Sequence, residues 1–294
     1  MKHNLLYLIC FFTTVTCAQF YASGSGGYAV GTVNMLMGKI ETETYEEAVY
    51  GSYGEGFNTQ LRFGYYFDKT FGVDIGFGYL HGADITQRDI KLPSLGQELY
   101  IKGRGKAFGI MPTLVYRYND NLYGRIGPLI KVGGKTEVIG NAKAFLPANT
   151  LQNVSANSTL DVEFVRDFKG KVPLGFTAAI GYKYHLNKKL SVFIEAEYFG
   201  ISVRRDKATL EDFNAILDIE GIGKQELTNH ELIAAINNSS ILSSDSNIQT
   251  LSILISDETN YVDSRNKTDN SFLAETVPYS SFGINFGFTY TFGK

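Results

Sequence analysis

The chain has 294 residues, 27 Lys and Arg against 30 Asp and Glu for a net charge of −3, and 21 Phe and 19 Tyr with no Trp. That balance leaves no basic footprint for nucleic acid, and the length accommodates one all-β domain. Thirty-one Gly beside only six Pro suits long strands joined by turns.

Met1-Lys2-His3 is a short basic head, and Leu5 to Val15 is an apolar run too short to span a bilayer as a helix. Thr16-Cys17-Ala18 then offers small residues, so a signal peptide over 1–18 and a mature domain over 19–294 are expected. Cys17 raises a lipoprotein alternative, but Thr14-Val15-Thr16 lacks the usual leucine and small-residue pattern. Both cysteines, Cys10 and Cys17, fall in this segment, which leaves the mature chain without thiol, disulfide or cysteine-ligated metal. Its net charge is about −4, because Lys2 leaves with the signal. No later run of about 18 apolar residues exists, so no membrane helix is expected.

Eight strands are predicted in chain order: 26–37, 57–67, 71–81, 105–118, 122–133, 172–184, 190–203 and 279–292. Residues alternate faces along a strand. On the second, Phe57, Leu61, Phe63 and Tyr65 share one face, with Asn58, Gln60, Arg62 and Gly64 on the other. The third opposes Val73, Ile75 and Phe77 to Asp74. The fourth to seventh place Arg117, Arg125, Lys131, Lys183, Glu195 and Glu197 opposite apolar faces. The last, Phe282 to Phe292, has a wholly apolar face of Phe, Ile and Tyr. Only the first strand is ambiguous in phase.

The links alternate in length. Asp68-Lys69-Thr70, Asn119-Asp120-Asn121 and 185–189 are tight polar turns, while 38–56, 82–104, 134–171 and 204–278 are long. Short turns at one end, long loops at the other and aromatics flanking the short end are the pattern of an outer-membrane barrel. Of the charged residues only Lys106 falls on the apolar face, at the outer rim, where its stem can reach headgroups. The fold expected is an all-β, eight-stranded, antiparallel, up-and-down transmembrane barrel with long extracellular loops. A soluble sandwich is the alternative; it explains neither the aromatic girdle nor the loop asymmetry.

The inward charges Arg62, Asp74, Arg117, Arg125, Lys131, Lys183, Glu195 and Glu197 form the candidate site. Buried ions must pair or cost several kcal/mol each, so they are read as a polar plug, or alternatively as a gated ion path. Arg62 is the diagonal wall neighbour of Asp74 and is expected to pair with it; Glu195 or Glu197 is expected to meet Arg117, Arg125 or Lys183. No enzyme or cofactor is expected: His185 sits in a turn, His230 in a loop helix, and His81, three residues from Asp84, lacks a nucleophile or cleft.

Link 204–278 has six basic and thirteen acidic residues. Thr209-x-x-Asp212 and Thr228-x-x-Glu231 read as helix N-terminal boxes, with short amphipathic helices expected over 210–219 and 232–236. The segment is too apolar for plain disorder. It is expected to be partly helical, as a cap over the barrel or a solvated surface, with a divalent cation or a basic partner as conceivable ligands.

Gly26-Gly27-Tyr28-Ala29, Gly56-Phe57-Asn58, the short turns and the aromatic end resemble the OmpX/Ail/OmpA-like outer-membrane barrels over about 100 residues of strand. Asn285-x-Gly287-x-x-Tyr290-x-Phe292 resembles the terminal signal read by the barrel-assembly machinery in such proteins, offset by Gly293 and Lys294. The resemblance implies a monomer in contact with outer-membrane lipid and lipopolysaccharide, both mature termini in the periplasm, and loops for a host or surface protein or for envelope integrity. A narrow channel for small solutes is the alternative.

Overall fold

The structure, a computed structural model, describes residues 19–151, 154–268 and 271–292. The expected signal peptide, residues 1–18, and the terminal Gly293-Lys294 lie outside the described residues. The chain is all-β, with two short α-helices among the described residues. Seventeen strands are present among the described residues, where the sequence suggested eight.

Eight of them form a closed circuit. They are β1 (Gln19–Gly31), β4 (Gly56–Tyr66), β5 (Phe71–Gly82), β7 (Gln97–Arg117), β8 (Leu122–Leu146), β10 (Leu174–His185), β11 (Leu190–Gly200) and β17 (Ser281–Thr291). Each pairs antiparallel with the next in that order, and β17 returns to β1 with Tyr21 opposite Thr291 and Gly31 opposite Ser281. The circuit leaves no free edge. Alternation holds around it. Leu61, Phe63, Leu174, Phe176, Ile180, Phe286 and Phe288 are each at least half exposed on the outside, whereas Gln60, Arg62, Glu195 and Asn285 are buried inside. An apolar belt of this extent asks for an apolar surrounding. β1 takes the phase the sequence left open: Tyr21, Ser23 and Ala29 are buried, and Phe20, Tyr28 and Val30 are exposed.

The other nine strands fall in the four long links or at their edges, so these are not loops; the first strand, expected over 26–37, ends at Gly31, β2 begins at Met35 and β12 at Ser202. β2 (Met35–Thr42), β3 (Glu46–Gly51) and β6 (Ile85–Leu92) extend one side of β7. On the other side the upper part of β8 pairs with β9 (Ser158–Gly170), and β9 with β12 (Ser202–Ile219). β13 (Gly223–Glu226), β14 (Glu258–Val262) and β16 (Thr276–Pro278) line the far edge of β12, and β15 (Ser271–Leu273) runs parallel to β14. β7 and β8 thus run through both layers, and this extension is one continuous sheet built on the ring.

The extension has its own core. Leu99, Ile101, Val138, Val162, Phe164 and Leu217 of the sheet are packed under Leu232 and Ile236 of α1 (Asn229–Asn238) and Leu251 of α2 (Ser246–Leu254). The Thr228-x-x-Glu231 box is real: Thr228 accepts from the Glu231 amide at 3.3 Å while Glu231 accepts from the Thr228 amide at 2.8 Å. Arg166, 1% exposed, fastens the end of α2 by donating to the Leu254 carbonyl at 2.9 Å and to the Ser256 carbonyl.

The helix expected over 210–219 is instead part of β12. A bulge between Leu210 and Asp212 shifts its phase. Leu210, Phe213 and Leu217 then fall at helical spacing in sequence, although Ala208, Ala215, Leu217 and Ile219 bury a strand face.

Candidate functional site

Period two along β11 places Phe193, Glu195 and Glu197 inside the ring while Val192 and Ile194 stay outside. Glu195 and Glu197 are 1% and 0% exposed. Two carboxylates so deeply buried require strong compensation. Arg125 provides most of it. Its Nη2 donates to Glu195 at 2.8 Å and Glu197 at 2.9 Å, its Nε to the second Glu195 oxygen at 3.1 Å, and its Nη1 lies 3.8 Å from Asp74. Arg62 donates to both Glu195 oxygens at 2.9 and 3.0 Å and rests 4.9 Å from the centre of the Phe193 ring. Multiple charge-assisted bonds from one guanidinium fix geometry as well as charge.

Neutral donors complete the carboxylates. Glu197 accepts from Gln60 at 2.6 Å, Asn285 at 2.8 Å and Thr177 at 2.9 Å. Tyr123 donates to Glu195 at 2.8 Å; Tyr21 donates to one oxygen of Asp74 at 2.9 Å, and Thr113 donates to the other. Both tyrosines depend on glycines. A Cβ on Gly64 would stand 2.2 Å from the Tyr21 ring, and one on Gly181 would stand 2.4 Å from that of Tyr123. Lys183 lies over these two rings, at 5.5 and 5.2 Å from their centres.

The candidate residues therefore divide. Arg62, Asp74, Arg125, Glu195 and Glu197 form one network, with Lys183 next to it. Arg117 lies apart, stacked 3.3 Å from the Tyr66 ring, and Lys131 is near Tyr279 at 5.8 Å. The expected Arg62–Asp74 pair is not formed. Gly64 stands opposite Asp74 on the wall, but Tyr21 fills the space above that glycine and takes the carboxylate. Arg62 reaches across the lumen instead. Tyr21, Tyr123, Thr113 and Thr177 were not singled out from sequence; the phase of β1, once known, identifies Tyr21.

The network separates two spaces. At the short-turn end a cavity of about 370 Å³ is lined by Arg117, Lys183, Lys188 and asparagines of the turns. At the extension end one of about 80 Å³ lies under Tyr279. Above it Tyr53 and Tyr279 pack with ring centres 5.7 Å apart; Tyr279 shares a 2.6 Å hydrogen bond with Thr136. At the junction with the extension, Glu137 receives Lys106 at 3.0 Å and Arg104 at 2.6 Å. Burial pushes the Glu137 carboxyl up, but these cations outweigh it and hold it at about 2.

A family profile described as the outer membrane protein beta-barrel domain matches residues 8–218. The chain belongs to that family. Among solved structures, it is similar to a major outer membrane protein from Thermus thermophilus, at 12% identity over 94% of this chain and 99% of the other, with a TM-score of 0.33. CarO from Acinetobacter baumannii gives 13% over 89% and 96%, with a TM-score of 0.25. A Pseudomonas aeruginosa FadL homologue gives 9% over 93% and 89%, with a TM-score of 0.19. Such likenesses transfer no residue role. Comparison with curated proteins finds no match.

Other sequence candidates resolve differently. His81 faces Tyr79, with Nδ1 and the phenol oxygen 3.4 Å apart, and Asp84 is held by Lys102 at 2.7 Å, so the two form no dyad. Of the terminal motif, Asn285 belongs to the network. A Cβ on Gly287 would meet the Phe193 ring at 2.5 Å. Tyr290 and Phe292 are exposed and stack edge to face at 5.0 Å.

Proposed function

We propose that this outer-membrane barrel protein is a sealed, non-enzymatic anchor that displays a folded layer at the cell surface, there to meet a host or surface protein or to support the envelope. In this reading the eight-stranded ring spans the bilayer, in contact with lipid and lipopolysaccharide. The extension is extracellular, both mature termini are periplasmic, and the protein is monomeric. The observation that carries the reading is Arg125, whose guanidinium lies within 4.0 Å of three carboxylates and fills the middle of the lumen. An eight-stranded barrel is only wide enough to be packed by such side chains. The extension, with its own core and helices, is built as a protein surface and not as a set of slack loops.

Planar-bilayer recording on refolded protein tests the seal. The expected trace has no unitary steps. Regular steps would favour the narrow channel, a reading supported by the cavities on either side of the network. Surface labelling of intact cells tests orientation: tags in 134–171 or 204–278 should label, and a tag after Lys294 should not. The terminal motif is also proposed to direct assembly. Phe292→Asp should then lower outer-membrane yield far more than it lowers the stability of refolded protein, and normal surface levels would exclude that role.

A further inference from the structure

The smaller cavity is built unlike the rest of the lumen. It lies between the carboxylate–guanidinium network and the Tyr53–Tyr279 roof, and Asn58, Gln60, Met111, Leu129, Lys131 and Tyr279 are among its walls. Most of the lining is apolar. Lys131 is 8% exposed, and among the described residues it has no ion-pair partner, only the Tyr279 ring. It stands six residues along β8 from Arg125, about 20 Å at the rise of a strand, and the carboxylates that balance Arg125 form no ion pair with it.

The polar groups around it are equally unmatched. Asn58 is 6% exposed, yet neither its Nδ2 nor its Oδ1 has a hydrogen-bond partner. Gln60 gives its amide to Glu197 and leaves Oε1 unpaired. An unmatched buried donor or acceptor has given up its hydrogen bonds to water and gained none in return. A cation, a donor and two acceptors face one small space, while in the network, which Gln60 joins through Glu197, every carboxylate oxygen is engaged by Arg, Gln, Asn, Thr or Tyr.

We propose that this cavity is a binding site for a short monocarboxylate carrying a hydroxyl group. Lys131 and the Asn58 amide take the carboxylate, Asn58 Oδ1 or Gln60 Oε1 accepts from the hydroxyl, and Met111 and Leu129 cover the carbon chain. One uncompensated lysine matches a single negative charge; a dianion would carry an unpaired charge into apolar walls. The volume sets the length. At roughly 10–15 Å³ per water, about 80 Å³ holds about five to eight water-sized groups, which fits a four-carbon acid. This site is independent of the display reading, since a sealed anchor and a channel could each contain it.

Full-length protein refolded in zwitterionic micelles in the presence of 4-fluoro-3-hydroxybutyrate, whose eight heavy atoms match that volume, provides the test, read by fluorine NMR. The expected result is a second resonance that saturates at one equivalent per barrel. Lys131→Met should weaken it at least tenfold and Lys131→Arg should retain it. Asn58→Leu should weaken it about fivefold or more. 4-Fluorobutanol should give no such signal. A resonance of equal strength in the wild type and Lys131→Met would be micelle partition and would overturn the site, as would a signal that never saturates or equimolar chloride displacing the probe. Equal affinity for 4-fluorobutyrate, which lacks the hydroxyl, would overturn the role given to Asn58 Oδ1 and Gln60 Oε1. Each variant is first checked for the heat-modified mobility of the folded barrel, and the conservative Lys131→Arg separates loss of charge from loss of fold.

Discussion

β7 and β8 pass through both halves of the molecule, and their polarity inverts on the way. In the ring, β7 exposes Phe108, Leu114 and Tyr116 and buries Thr113; in the extension it exposes Glu98 and buries Leu99 and Ile101. β8 exposes Ile126 and Val132 below, and buries Val138 and Leu146 above. One half is greasy outside and ionic inside, as a wall in lipid must be. The other has the ordinary arrangement of a water-soluble sheet. The change of face falls near Lys106 and Glu137, where the charges pair with each other. Strand length therefore does not mark where the apolar belt ends; the inversion does.

The two halves should accordingly fail by different routes. The largest effect is expected in the ring. Arg125→Met leaves Glu195 and Glu197 without their shared cation, a loss typically worth about 3–5 kcal/mol in a buried site. The urea midpoint of refolded barrel should drop, with partial recovery when Glu197→Gln is added. A midpoint that does not move would mean a wet lumen. In the extension, Leu232→Ala should cost about 3 kcal/mol through the cavity it opens, but only locally. Protease should then cut within 204–278 while the folded-barrel band persists on a gel; simultaneous loss of both would show that the halves are not separable.

Much of this division is legible in the sequence, for a definite reason. The ring strands carry a clean period of two because one face meets lipid and the other a narrow polar lumen. The inward charges and the two glutamates of β11 follow directly. What could not be read is contact across the lumen. Neighbours on the wall are given by register, whereas Arg62 selecting Glu195 depends on Tyr21 standing over Gly64, and the glycine-rich start of β1 conceals its phase. The extension was hidden for another reason. Its strands are short or bulged, and the break at Leu210–Asp212 in β12 gives apolar residues a helical spacing. The Thr228 box was readable because a cap is a local device, requiring only residues three apart.

That cap sharpens the comparison at smaller scale. Thr228→Ala should lower the stability of α1 by about 1 kcal/mol, increasing amide exchange over 229–238 without changing exchange in β17. The smallest effect is expected at the junction. Because Glu137 is held at about 2, below its ordinary 4.5, its contribution is complete above pH 4.5 and fades as the pH falls toward 2. Exchange in the upper part of β8 should rise over that window, and Glu137→Gln should remove the pH dependence. A ring that loosens over the same window with Glu137→Gln in place would point to the lumen carboxylates instead.

The place where the chain departs for its longest excursion has a further consequence. The Tyr279 amide donates to the Ile201 carbonyl at 3.0 Å, and Ser280 Oγ bridges the amide and carbonyl of the same residue at 3.0 and 3.1 Å. Everything from β12 to β16 thus leaves and re-enters through one stitched doorway. Lengthening a tether whose ends are already joined adds only about 0.6 kcal/mol per doubling of its length. The ring is therefore nearly indifferent to the length of what hangs between Ile201 and Tyr279, although Val203 and Val277 at its base pack with Met111 and Leu129 of the ring. The position is a natural graft point, at which a foreign domain with adjacent termini could replace the segment from β12 to β16 without rebuilding the ring, provided that the newly bared edge of β9 is covered.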